Sequence, residues 1–207
     1  PAPKLDRALE VGCRAGRISM ELARSYAHVV GLDWSTRFFR VATTLQQEGV
    51  VRYSLKSVGD IETYHQVVLS DLKLDGVKDK VEFWQADACN LDPKHQNFDL
   101  VVAANLLPQC YAPANFVKSV KERVNKGGLL VLADTYEWDK DVTPRDAWLG
   151  GVKEAGETVS PLDAIERLLA PQFLLLGKPT DLPWIVRKTE RSFEHRVSQV
   201  IIWRRVK

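Results

Sequence analysis

Cysteine is scarce in this 207-residue chain, with only Cys13, Cys89 and Cys110, an odd number without Cys-x-x-Cys spacing. The four histidines, His28, His65, His95 and His195, are scattered and form no His-Glu-x-x-His pair. Neither a disulfide framework nor a metal site is therefore expected, and a reducing compartment, the cytoplasm, fits best. Long apolar runs are missing as well. Runs such as residues 128–133 and 200–203 fall far short of the roughly 20 residues that span a bilayer, and no secretory signal is legible, so no membrane partner is expected. Charge of one sign is not in excess: the net charge is +2, which gives no electrostatic case for a nucleic-acid partner. The basic end, Arg204-Arg205-Val206-Lys207, reads as a solvated terminus. There is no internal repeat and no low-complexity tract.

What is present is an ordinary globular composition, 45% apolar and 27% charged, in a chain long enough to bury a full core. Strand-like runs alternate with helical stretches, the pattern of a doubly wound, mostly parallel sheet with helices on both faces. Strand one is read at residues 7–11, strand two at 28–33, strand three at 81–85, strand four at 98–104 and strand five at 129–133. Helices follow near Arg17, from about Ser35 to Glu48, and over residues 113–124, the last stopped by Lys126-Gly127-Gly128. Residues 50–69 break the alternation and read as an inserted hairpin turning near Gly59-Asp60. A long loop, 135–156, precedes a helix at 161–169. A terminal hairpin, 173–205, then makes a seven-stranded sheet with an antiparallel last strand, and residues 1–207 read as one domain. The start at Pro1, a few residues before strand one, reads as a cut from a longer chain.

In open α/β sheets ligands bind beyond the carboxyl ends of the strands, where strand order reverses. Four segments meet at that edge. After strand one, Glu10-Val11-Gly12-Cys13-Arg14-Ala15-Gly16-Arg17 offers two glycines for a tight turn and close ligand approach. Strand two ends at Asp33, placed to accept ribose hydroxyls or to cap the next helix, a role Ser35 could equally supply. Trp34 beside it could pack on a base or in the core. Asp87 and Ala88 follow strand three, and Asn105 ends strand four. The glycine turn resembles the S-adenosylmethionine (SAM) motif Glu/Asp-x-Gly-x-Gly-x-Gly, with Arg14 in place of the middle glycine. The resemblance implies that Glu10, Gly12, Cys13, Gly16, Arg17, Asp33, Trp34, Asp87, Ala88 and Asn105 lie at the cofactor. In it, Asp87 accepts from the adenine amino group and Asn105, the candidate catalytic residue, faces the reactive methyl. Nicotinamide chemistry is disfavoured, because no complete Gly-x-Gly-x-x-Gly cradle is present.

The last third carries a more specific likeness. Thr143-Pro144-Arg145-Asp146-Ala147-Trp148-Leu149-Gly150-Gly151 and Phe193-Glu194-His195-Arg196-Val197-Ser198-Gln199, then Ile202-Trp203-Arg204-Arg205, resemble the C-terminal methyltransferase domain of the OvoA family of ovothiol biosynthesis proteins. Gly12-Cys13 with Gly16-Arg17, the Tyr53/Tyr64 hairpin and Asp87-Ala88-Cys89-Asn90-Leu91 extend the likeness along the chain. It implies methyl transfer from SAM to the side-chain-proximal imidazole nitrogen of 5-mercaptohistidine, and an upstream iron-dependent sulfoxide synthase region in a longer chain. Another small acceptor, or a non-catalytic module of the same fold, are the alternatives.

An imidazole nitrogen titrates near neutrality, so no dedicated base is expected. The difficulty is regiochemistry, since the thiolate is the softer nucleophile. Candidates for aiming the ring are Tyr136, Trp138 and Trp148 in the 135–156 loop, Tyr64 in the inserted hairpin, Asn105 for a ring nitrogen, His195, and Arg187 as a fork for the substrate carboxylate.

Overall fold

The computed structural model describes residues 5–207. Apolar runs bounded by turn residues become strands, and the elements in chain order are β1 (Arg7–Val11), α1 (Arg17–Leu22), β2 (His28–Asp33), α2 (Thr36–Glu48), β3 (Val50–Lys56), β4 (Glu62–Val68), β5 (Val81–Gln85), β6 (Phe98–Ala104), α3 (Pro113–Val120), β7 (Val124–Asp134), β8 (Val152–Glu154), β9 (Glu157–Val159), α4 (Pro161–Leu169), β10 (Phe173–Leu175), β11 (Thr180–Arg187) and β12 (Phe193–Arg205). The central sheet runs β5-β2-β1-β6-β7-β12-β10, and β11 pairs with β12. The first five strands of that order are parallel. β12 is antiparallel to β7, and β10 and β11 are antiparallel to β12. Strand order reverses between β1 and β6, which places a cleft at their carboxyl ends.

The two sheet faces bury separate cores. Phe116, Val117 and Val120 of α3 and Ile165 and Leu169 of α4 pack with Leu9, Val101 and Trp203 on one side. Met20, Ala23, Ala42 and Leu45, on or beside α1 and α2, pack with Ala8, Val29 and Phe83 on the other. Helices on both faces explain why the inner strands read as unbroken apolar runs instead of alternating ones. α4 begins with a capping box in which Ser160 Oγ accepts from Asp163 N and the Asp163 carboxylate accepts from Ser160 N.

Three local expectations change. Gly127-Gly128 does not stop a helix. α3 ends at Val120, and β7 runs through both glycines; a Cβ on Gly128 would lie 2.9 Å from Asp99 O of the neighbouring strand, so glycine there lets the two strands pair closely. The expected sixth strand is two strands, β10 and β11, broken around Gly177 at φ 72, so the sheet has eight. The 135–156 loop runs into a small hairpin, β8–β9, turned by Ala155 (φ 50) and Gly156 (φ 88). Two positive φ values make a hairpin turn that Asn-Gly would have advertised and Ala-Gly did not.

β12 is long enough to pair twice. Its second half joins β7 and β10, while its first half leaves the sheet with β11 and rises over the strand ends. The inserted β3–β4 hairpin meets the turn of this second hairpin. Glu190 N donates to Lys56 O at 3.1 Å, and Glu190 accepts from Ser57 Oγ at 2.6 Å and Thr63 Oγ1 at 2.7 Å.

Candidate functional site

The glycine turn is fastened to β2, with Gly12 N and Cys13 N both donating to Leu32 O at 2.8 and 2.9 Å. Gly12 and Gly16 each sit at φ 81 and Arg14 at φ 50, so Arg14 stands at the middle position with a left-handed backbone that favours glycine. That conformation is held by Asp33, whose Oδ2 accepts from Arg14 N at 2.7 Å and whose Oδ1 accepts from Ser35 N at 2.8 Å. Across the cleft, Asp87 accepts from Cys89 N and from the Tyr111 hydroxyl, both at 2.8 Å. Between the two acids lies a cavity of about 550 Å³ lined by Gly12, Asp33, Trp34, Phe38, Asp87 and Ala88 among others.

A second cavity, about 820 Å³, opens beside it under the β11–β12 hairpin and the loop after β7. The two share Arg14, Asn105 and Gln109, so they meet at the end of β6. The second is lined by charges of both signs: Arg14, Lys140, Lys188 and Arg196 against Asp134, Glu137, Asp139, Asp141 and Glu194. Arg196 pairs with Glu137 at 3.3 Å and with Glu194, and Lys188 pairs with Glu194 at 2.8 Å. Trp138 and Trp184 supply flat apolar walls.

Besides Arg14, two backbone positions near the junction are left-handed without glycine, Asn105 at the end of β6 at φ 51 and Tyr136 after β7 at φ 52. Such conformations cost about 1–3 kcal/mol and persist where surrounding structure over-determines them. Asp134 does so here. Its buried carboxylate accepts from Leu107 N at 2.9 Å and Tyr136 N at 3.2 Å, tying the two loops together. Burial raises its pKa to about 6. Beneath the glycine turn, Glu10 is buried and accepts from Ser19 Oγ, and burial pushes its pKa up to about 7.

Of the residues expected at the cofactor, Gly12, Asp33, Trp34, Asp87, Ala88 and Asn105 line the first cavity. Glu10 lies below it, Cys13 is packed in the core, Gly16 closes on Phe83, and Arg17 pairs outward with Glu21 at 2.8 Å. Of those expected at the substrate, Trp138 and the shared Asn105 line the second cavity. Trp148 stacks on Trp138 with centroids 6.1 Å apart and donates to Thr143 O at 2.9 Å. Tyr136 buries its hydroxyl without a partner among the described residues. Tyr64 is 85% exposed, and its neighbour Tyr53 stacks across strands on His65. Arg187 and His195 stand on the outer face of the hairpin, because Trp184, Val186, Glu194 and Arg196 take the inner one and alternation leaves their neighbours outside. Arg187 turns to Thr189 O and the Phe193 ring instead.

The sequence reading passed over Tyr111, Asp134, Trp184, Ser198 and Arg196. Asp134 had a signal, since it ends an apolar strand as Asp33 does. The others come from distant segments and have none.

No curated protein sequence matches this chain. Among solved structures, a SAM-dependent methyltransferase from Methanosarcina mazei aligns at TM-score 0.60 with 20% identity, over 98% of this chain and 94% of that one. The N-methyltransferase NodS from Bradyrhizobium japonicum, solved with S-adenosyl-l-homocysteine (SAH), aligns at 0.58 with 15% identity, over 98% and 79%. The [4+2]-cyclase SpnF aligns at 0.58 with 16% identity, over 96% and 75%, a reminder that this fold carries more than one reaction. A family profile described as a methyltransferase domain matches residues 1–175. This chain belongs to that methyltransferase-domain family and has the class I SAM-dependent methyltransferase fold.

Proposed function

We propose that the chain binds SAM in the cavity between Asp33 and Asp87 and transfers its methyl group to 5-mercaptohistidine in the adjoining cavity. The product is methylated on the side-chain-proximal imidazole nitrogen, the last step of ovothiol A formation, with the thiol supplied by an iron-dependent sulfoxide synthase region. The observation that carries this reading is the junction of the two cavities at Asn105.

The first cavity fits the cofactor. Its volume, about 550 Å³, lies within the roughly 300–1,000 Å³ of small-molecule sites. A Cβ on Gly12 would stand 3.0 Å from Leu106 Cδ1, on the cavity wall, so the bare glycine keeps the cleft open. Asp33 and Asp87 each accept two bonds from the protein. A carboxylate has about four lone-pair sites, so Asp33 keeps capacity for ribose hydroxyls and Asp87 for an adenine amino group. When bound, SAM supplies an activated methyl on its sulfonium. The chain then has to orient the acceptor and hold it in line, which is where most of the rate arises.

The second cavity suits a zwitterion. Arg14, Arg196 and Lys188 offer cations to an acceptor carboxylate, and Glu137, Asp139 and Asp141 offer anions to its ammonium. The carboxylate clamp assigned to Arg187 passes to Arg196 on this geometry. Trp138 and Trp184 give faces on which an imidazole can lie. A second reading, another small zwitterionic acceptor, is favoured by the outward placement of Arg187 and His195, which leaves the cavity without a feature unique to thiol-histidine.

The test is a mass-spectrometric assay with SAM, comparing histidine and its 5-thiol derivative. N-methylation of the thiol derivative supports the proposal. Mainly S-methylated product, or methylation of neither compound, overturns it.

A further inference from the structure

The Asn105 side chain belongs to a short hydrogen-bonded chain that no motif predicts. Trp184 Nε1 lies 2.9 Å from Ser198 Oγ, and Ser198 Oγ lies 2.7 Å from Asn105 Oδ1. Ser198 is 1% exposed. The direction of the chain follows from donor chemistry. An indole N–H can only donate, so Ser198 accepts from Trp184, and with the Asn105 carboxamide oxygen facing it Ser198 donates its own proton to Asn105. Nδ2, with its two protons, is then on the side of the carboxamide away from Ser198. Among the described residues the structure gives Nδ2 no partner, and Asn105 lines both cavities.

Each member is itself held. Asn105 N donates to Ala133 O at 2.6 Å, fixing its left-handed backbone against β7. Trp184 carries the Arg196 guanidinium 5.9 Å from its ring centroid, and Arg196 is paired to Glu137 and Glu194. Serine, indole and carboxamide thus come from β12, β11 and the end of β6, three segments that meet only in the folded chain.

We infer that Ser198 and Trp184 are positioning residues that fix the Asn105 carboxamide with its amino group, and not its oxygen, facing the point where the cavities meet. An acceptor must therefore bring a lone-pair-bearing atom to that amino group. The inference rests on the methyl-transfer reading given above, and it deepens that reading by supplying a basis for regiochemistry. N–H donors on a thiolate solvate the lone pairs that would otherwise attack, which leaves the ring nitrogen's lone pair as the free nucleophile. A donor on the ring nitrogen would instead quench the nucleophile, so the earlier expectation of an Asn105–nitrogen bond is replaced by an Asn105–sulfur bond. The ring nitrogen's lone pair then forms the new N–C bond. The sulfonium C–S bond breaks with its pair remaining on sulfur, giving SAH, and one proton passes from the ring to water.

The experiment compares wild type with Ser198→Ala, Trp184→Phe and Ser198→Thr, using SAM and 5-mercaptohistidine and resolving N- and S-methyl products by mass spectrometry and NMR. Calorimetric titration of SAH establishes that each variant is folded with its cofactor cavity intact. Ser198→Ala and Trp184→Phe are expected to bind SAH as wild type does, to lose about tenfold in kcat, the size of one orienting hydrogen bond, and to raise the S-methyl share. Ser198→Thr, which keeps the hydroxyl, is expected to restore N-methylation. Unchanged kcat and product ratio in both disabling variants, with SAH binding intact, overturn the inference. If wild type methylates neither this acceptor nor histidine, the acceptor reading alone fails, and hydrogen exchange in the SAH-bound protein decides the relay. Exchange of the Trp184 indole proton at least about tenfold faster in Ser198→Ala supports the relay, and unchanged exchange refutes it.

Discussion

Replacing Glu10 with glutamine should flatten the pH dependence of folding stability. Glu10 lies at the end of β1, 2% exposed, and its pKa is raised from 4.5 to about 7, first by burial and also by the nearby Asp33 charge, against hydrogen bonds from Ser19. A carboxyl whose folded pKa lies above its unfolded pKa binds more protons when folded, so stability falls as pH rises between the two values. A rise of about 2.5 units at about 1.4 kcal/mol each gives a total loss of roughly 3 kcal/mol. About 2 kcal/mol of that loss falls between about pH 5.5 and about pH 8.5. Glutamine has the same shape and does not titrate, so the advantage of wild type over Glu10→Gln should shrink by about that amount across the range. Asp134, raised to about 6, titrates in both proteins and cancels in the comparison. Urea unfolding followed by tryptophan fluorescence at several pH values measures the difference. Parallel stability curves for the two proteins would refute the reasoning.

Three further outcomes follow from the geometry. Asp33→Ala removes the acceptor for Arg14 N and Ser35 N as well as for the ribose, and should weaken SAH binding at least about tenfold by calorimetry. Gly16→Ala places a Cβ 2.7 Å from Phe83 Cε1 at φ 81 and should cost about 1–3 kcal/mol in urea unfolding, whereas an unchanged midpoint would show that Phe83 can move aside. Arg196→Ala should raise KM for the acceptor about tenfold through loss of a charged contact, while Arg187→Ala, on the outer face, should leave it unchanged. The reverse pattern would mean that the hairpin presents its other face to the cavity.

The chain's order of strands and helices was legible because buried parallel strands are apolar runs and their ends carry polar residues in a fixed sequence. Asp33, Asp87 and Asn105 were picked from strand ends together with the resemblance to the SAM motif, and all three line the first cavity. Side choice in the terminal hairpin was not legible. In a strand, neighbours face opposite ways and a one-residue slip exchanges them, so Arg187 and His195 could be picked where Trp184 and Arg196 face the cavity. Contacts such as Ser198 with Asn105 or Tyr111 with Asp87 join residues whose neighbours in sequence give no hint of each other. Arg14 looked like damage to a glycine motif. It adopts a left-handed backbone with its amide held by Asp33, and it lines both cavities.

The most direct measurement is a crystal structure of the protein grown with SAH. The account predicts the nucleoside lying between the two acids, with ribose hydroxyls on Asp33, the adenine amino group on Asp87, and the thioether sulfur opening toward Asn105. A nucleoside bound elsewhere, with Asp33 and Asp87 making only their present protein contacts, would contradict it.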